Sequence, residues 1–170
     1  MALHPNLAAI DAALAAASSP LIRDFLTHMR AIHPGYRLPP RAAFDPMAIA
    51  HLLGHLVLVQ VERQSDGGMR FFVRVAGEVV LSAAPVPLMN RYIESSVNLG
   101  KVSDDSQPRI IDVRRQVAET GLTQHWRGRL NIPFRFNFAD VEYAHCPLAE
   151  DGVTVDRILS VFYYHGAPDA

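Results

Sequence analysis

Leu56-Val57-Leu58-Val59-Gln60-Val61, then Asp66-Gly67-Gly68, then Met69-Arg70-Phe71-Phe72-Val73-Arg74-Val75-Ala76 closed by Gly77, is the stretch that decides the fold. β-Branched and aromatic residues fill both runs, and the Gly-rich tripeptide between them is turn chemistry. The stretch therefore reads as a β-hairpin. One residue interrupts its apolar character: Arg74, on the Phe72/Ala76 face.

Upstream of the hairpin the period is helical. Leu7, Ile10 and Leu14 recur at helical spacing over residues 6–17, and Asn6 is placed to cap them. The Ala-rich composition leaves a thin apolar stripe, which predicts weak packing or packing on something outside its own domain. Ser19 is a cap for a second helix, and Pro20 suits its first position, where no N–H is needed. Leu21, Ile22, Phe25, Leu26, Met29 and Ile32 give that helix a broad apolar face, and Pro34-Gly35 ends it. Arg37-Leu38-Pro39-Pro40-Arg41 excludes regular structure. Asp45 and Pro46 open a short helix with Met47, Ile49, Leu52 and Leu53 on its apolar face.

Downstream, Pro85 and Pro87 exclude a long helix, and short turns and loops are expected over 78–103. Helix returns from Pro108, with Ile110, Val113 and Val117 on one face and Gly121 where a helix C-terminus favours glycine. Residues 122–131 and 135–148 read as strands, Glu150-Asp151-Gly152 as a turn, and 156–164 as the last strand. The class is α+β, with five strands and helices inserted after the second.

The chain has 170 residues, 49% of them apolar and 19% charged, an ordinary balance for one globular domain. Its single cysteine, Cys146, forbids an intramolecular disulfide and fits a reducing compartment. No Lys or Arg precedes the first apolar stretch, and Asp11 interrupts it, so a secretory signal is not expected. No run approaches the ~20 apolar residues of a membrane span. A cytoplasmic location, away from membranes, follows as the expectation. A net charge of −1 supplies no global field for nucleic acid. Arg127, Arg129 and Arg135 are spaced like one solvated strand face.

The order of elements resembles the PAS fold. There, two strands, a helical segment and a three-stranded meander form one antiparallel sheet of order 2-1-5-4-3, with helices over one face. Ala118-Glu119-Thr120-Gly121-Leu122 looks like its helix-to-third-strand corner. Cys146-Pro147-Leu148-Ala149-Glu150-Asp151-Gly152-Val153 resembles its last hairpin, followed by Arg157-Ile158-Leu159-Ser160. A narrower resemblance is to a bacterial family of stand-alone PAS-like proteins. Its stretches are Leu38-Pro39-Pro40-Arg41-Ala42-Ala43-Phe44-Asp45-Pro46, Leu52-Leu53-Gly54-His55-Leu56 and Phe72-Val73-Arg74-Val75-Ala76-Gly77. The chain departs where that family tends to have Thr and this one has Glu78, and the following residues 79–92 diverge too. In PAS folds that region helps wall the ligand pocket. The resemblance divides the chain into an N-terminal helical extension (1–33), a PAS-like domain (34–165) and a frayed tail (166–170).

Residues with possible chemistry are few. His51 and His55 stand four apart, but the zinc-protease pattern needs Glu right after the first His, where this chain has Leu52. Cys146 has His145 as its sequence neighbour, which a strand sends to the opposite face. Haem-binding PAS domains commonly use a His on the helix before the third strand, and residues 105–119 contain none. Flavin-binding photoreceptor PAS domains carry a reactive Cys in an early helix, and no such motif is visible. No phosphate loop or nucleophile elbow is present. Haem, flavin and metal are therefore not expected, and no catalytic residue is assigned.

Arg74 reads either as a rim residue reaching water or as the partner of a buried carboxylate or anionic ligand. Ligand-binding candidates are Arg74, Tyr92, Trp126, His125 and Tyr143. The function expected is a PAS-like sensory or signalling protein that binds a small molecule, a partner protein or both. It is expected to form a homodimer through its N-terminal helices and to act through a separate signalling protein. The alternative is a small lyase, isomerase or hydrolase, which requires Arg74, His125, Glu142 and His145 to converge on one cavity.

Overall fold

Ser19 and Asp45 both act as the local chemistry predicts. In the computed structural model, which describes residues 1–96, 108–130 and 132–168, Ile22 N–H reaches Ser19 Oγ at 3.5 Å. Met47 N–H reaches Asp45 Oδ1 at 3.0 Å. Helix α2 (Pro20–Ile32) follows Ser19 and buries Ile22, Phe25, Leu26 and Met29. Each such side chain contributes about 1.5–3 kcal/mol on burial.

Helix α1 (Asn6–Ala16) differs from expectation in two ways. Its cap position is Pro5, and Asn6 lies inside the first turn. Asn6 Oδ1 instead accepts the Thr123 N–H at 2.6 Å, a long-range tie from α1 to the third strand's entrance. The thin stripe also packs on the chain's own domain: Leu7, Ile10 and Ala13 are buried. Small alanines let α1 lie close on α2, so a narrow stripe suffices.

The segment from Pro46 to His55 is a 3-10 helix with a kink at Ile49. Its three-residue turn puts Ile49 and Leu52 inward and leaves Met47 and Leu53 exposed. The four-residue apolar face read from α-helical spacing is thus halved.

The five strands are β1 (Leu56–Arg63), β2 (Met69–Ala76), β3 (Gln124–Gly128), β4 (Asp140–Leu148) and β5 (Arg157–His165). They form one antiparallel sheet of order β2-β1-β5-β4-β3, the order that the PAS resemblance implies. Gly77 marks the exit from β2 for a steric reason: a Cβ there would stand 2.3 Å from the carbonyl oxygens of both Leu53 and Gly54. Two backbones cross at this point, which accounts for glycine in the otherwise apolar run.

Strands three and four are shorter than the sequence predicts. Between them Arg135 N–H goes to Ala83 O at 3.0 Å rather than to a neighbouring strand. Pro133 has no N–H to give, and Phe134, Phe136 and Phe138 gather around Tyr164, with ring centroids 6.1, 5.5 and 5.0 Å from it. Of the stretch 78–103, the part to residue 96 holds α3 (Glu78–Ala83) and α4 (Ile93–Ser96). The rest lies outside the described residues, as do Asn131 and the last two residues of the expected tail. A π-helical turn, Pro108–Asp112, leads into α5 (Val113–Thr120), which ends at Gly121 with φ +66°.

The sheet is covered on both faces. On one, Ile10, Phe25 and Met29 of α1 and α2 meet Ala144, Cys146 and Leu159. On the other, Val80, Ile93, Val117 and Ala118 meet Val57, Val59, Val73 and Ile158. Among the described residues no helix is long and apolar enough to cross a membrane.

Candidate functional site

Alternation along β4 sends successive side chains to opposite sides of the sheet. Val141, Tyr143 and His145 face α3 and α5, where a cavity of about 130 Å³ opens. Val57, Val73 and Phe162 form its floor, and Val80, Ala84 and Leu88 wall it. The diverged segment after Gly77 therefore supplies a wall of the cavity, as the resemblance implies. Ile110 and Arg114 close the side toward α5.

Arg114 is the feature that the apolar lining does not explain. It stands four residues after Ile110 and three before Val117, on the stripe of α5 that turns inward, and is 5% exposed. One guanidinium nitrogen, Nη1, donates to Ile110 O. Nε is buried without a hydrogen-bond partner, and among the described residues no carboxylate lies within ion-pair distance of the group. Burial lowers its pKa to about 10, which leaves it cationic at neutral pH. Glu94, whose charge favours that cation, holds the Phe71 N–H at 3.1 Å.

Two further polar groups share this corner. His145 Nδ1 lies 2.5 Å from Ser160 Oγ, and both residues are buried. Burial, reinforced by the Arg114 charge, pushes the imidazole well below its ordinary pKa, so it is neutral. The Tyr143 ring lies 4.4 Å from the His145 ring and 5.6 Å from Trp126.

The opposite face of β4 carries a different cluster. Glu142 is fully buried, and its carboxylate accepts from Ser18 N–H at 2.9 Å and Ser19 N–H at 3.3 Å. His125 Nε2 stands 3.1 Å from Oε1 and His165 Nε2 2.7 Å from Oε2. Burial opposes ionisation, but these donors outweigh it and hold the carboxyl below its ordinary pKa. One carboxylate thus ties the α1–α2 junction to the sheet. The histidines bond to separate oxygens of this acid, and no described group of three converges as a metal site would.

The sequence candidates separate accordingly. Tyr143 lines the cavity, and the Trp126 ring lies tilted beside it. His125 lies on the opposite face, bonded to Glu142. Arg74 is exposed on β2, its guanidinium 5.6 Å from the Phe72 ring centroid. Tyr92 lies outside the cavity lining, donating to Glu62 Oε2 at 2.7 Å, with the Arg70 guanidinium 3.6 Å from its ring centroid. Arg74, His125, Glu142 and His145 therefore do not meet in one cavity. His51 pairs with Asp24 at 3.1 Å, whereas His55 bonds Phe162 O at 2.8 Å. Cys146 is buried, and its thiol is pushed up to about 12. Such a thiol is not an activated nucleophile.

Arg114, Ser160 and His165 were not among the candidates. Arg114 carries a readable signal: a charge at i+4 from Ile110 on an apolar helical stripe, the same kind of interruption as Arg74. Ser160 and His165 carried none, because their partners are set by the β4–β5 register.

No family model matches the chain, and no curated protein matches it in sequence. Among solved structures it is similar to the light-state structure of the blue-light photoreceptor Aureochrome1 LOV, at 14% identity and a TM-score of 0.41. That similarity covers 69% of this chain and 85% of the other. The PAS-like fold rests here on strand order and connectivity.

Proposed function

We propose that this chain is a PAS-like sensory domain that binds a small molecule between its sheet and helices α3–α5, without catalysis of its own. The observation that carries the reading is the cavity itself: an apolar chamber with a few polar groups gathered at one corner, the usual form of a small-ligand site. Strand β4 gives such a ligand a route to the surface. Tyr143 and His145 face the cavity, while Glu142 between them grips the α1–α2 junction. A ligand that prefers one packing of β4 shifts the population of docked and undocked N-terminal helices, and a partner protein reads that change. Self-association, if it uses α1 and α2, uses their outward surfaces, because the inward ones bury on the sheet.

The test is a thermal-shift screen of benzene-sized compounds on the purified protein, followed by amide exchange with any binder. A rise in Tm with altered exchange across residues 6–32 supports the reading. A screen with no binder in any charge class overturns it.

A further inference from the structure

We propose that the cavity selects a small organic anion, a carboxylate carried on an apolar body, with Arg114 as its charge partner. The proposal rests on the binding role above and names its ligand class.

Size and lining set the body. A dry apolar cavity of about 150 Å³ admits benzene, and this one, at about 130 Å³, is lined by Val57, Val80, Leu88 and Phe162. A single ring or a short branched chain fits; a nucleotide or a flavin does not.

Charge sets the head group. Arg114 lines the cavity, is 5% exposed, and has an Nε donor without a partner. A buried cation without an ion-pair partner is costly; among the described residues Arg114 has one hydrogen bond, to the Ile110 carbonyl, and Glu94 favours its charge without forming an ion pair with it. A neutral guest leaves that deficit in place, and a cationic guest adds repulsion. A carboxylate removes it and matches the planar donors of guanidinium geometrically. A dianion such as phosphate leaves a net negative charge in apolar surroundings, so one negative charge is the match. Burial keeps His145 neutral, so it brings no second positive charge to the corner. Its hydrogen bond with Ser160 anchors the ring against the sheet.

The experiment compares benzoate, benzyl alcohol and benzylamine at pH 7, read by calorimetry and by the fluorescence of Trp126, the chain's single tryptophan, 5.6 Å from the Tyr143 ring of the cavity wall. Benzoate is expected to bind at least ten-fold more tightly than the alcohol, and benzylamine more weakly than either. In Arg114→Met the order of benzoate and alcohol is expected to reverse, with alcohol binding retained. Arg114→Lys keeps the charge without the planar fork and is expected to keep part of the preference. Equal affinity for acid and alcohol in the parent overturns the anion proposal while leaving the cavity role standing. So does a benzoate preference that persists unchanged in Arg114→Met. Failure of all three compounds overturns both. The parent series needs no variant, so a misfolded Arg114→Met protein still leaves a decisive comparison.

Discussion

Replacing Glu142 with glutamine tests what holds the N-terminal helices on the sheet. The parent carboxylate takes four donors on two oxygens: Ser18 N–H at 2.9 Å, Ser19 N–H at 3.3 Å, and the rings of His125 at 3.1 Å and His165 at 2.7 Å. Glutamine has one oxygen, and its NH₂ turns a donor toward donors. With the amide oxygen in the Oε1 position Ser18, Ser19 and His125 keep their acceptor, and His165 loses the one it had at Oε2. A buried donor left unpaired costs about 1–3 kcal/mol. The His165 side chain is 18% exposed, so water recovers part of that loss, while the three remaining bonds lose the carboxylate's charge. The net expectation is a destabilisation of about 1–3 kcal/mol. For a domain of this length that corresponds to a Tm lower by about 2–12 °C. Circular dichroism at pH 7 measures the shift. Amide exchange locates it, because detachment of α1 and α2 as a unit raises exchange at Ile10, Ile22 and Phe25 before β4 and β5 respond. A variant within about 0.5 kcal/mol of the parent, with unchanged exchange over 6–32, would falsify the latch.

Acid should weaken the fold in two stages. Burial, with the charges of His4 and Arg30 nearby, lowers His33 to about 4, and burial also holds His145 well below its ordinary value. The unfolded chain then binds more protons, so stability falls as pH drops below about 6.5. Glu142, held below its ordinary carboxylate pKa, adds a further loss at pH values below that ordinary range. Urea midpoints flat from pH 7 to pH 4 contradict this account. Cys146, buried with its thiol near 12, should resist an aromatic disulfide reagent at pH 8 and react only as the chain unfolds; rapid labelling of native protein contradicts its burial. Gly77→Ala should cost more than about 3 kcal/mol, because a Cβ there meets two backbone carbonyls at 2.3 Å. Gly67→Ala, at φ +86° with open space around it, should cost only about 1 kcal/mol. Equal losses in urea unfolding refute the crossing of backbones at Gly77.

The sequence by itself determined what local chemistry decides. Ser19 and Asp45 announce helix starts, Gly67 and Gly121 supply left-handed turns, and the alternation around Gly67 makes a hairpin, because caps and positive φ depend on residues only a few positions apart. The insertion of helices after the second strand pointed to a PAS-like sheet for the same reason: each element is recognisable alone, and few topologies satisfy their order. Tertiary structure alone decided where the charges went. Arg74 and Arg114 both interrupt apolar stripes, yet the first reaches solvent from an edge strand and the second is buried at a cavity. Edge position and helix rotation, which no local pattern encodes, separate them. Glu142 meets Ser18 across 124 residues and His165 across 23. Those contacts exist only once β3, β4 and β5 settle in register and the α1–α2 junction lies over them.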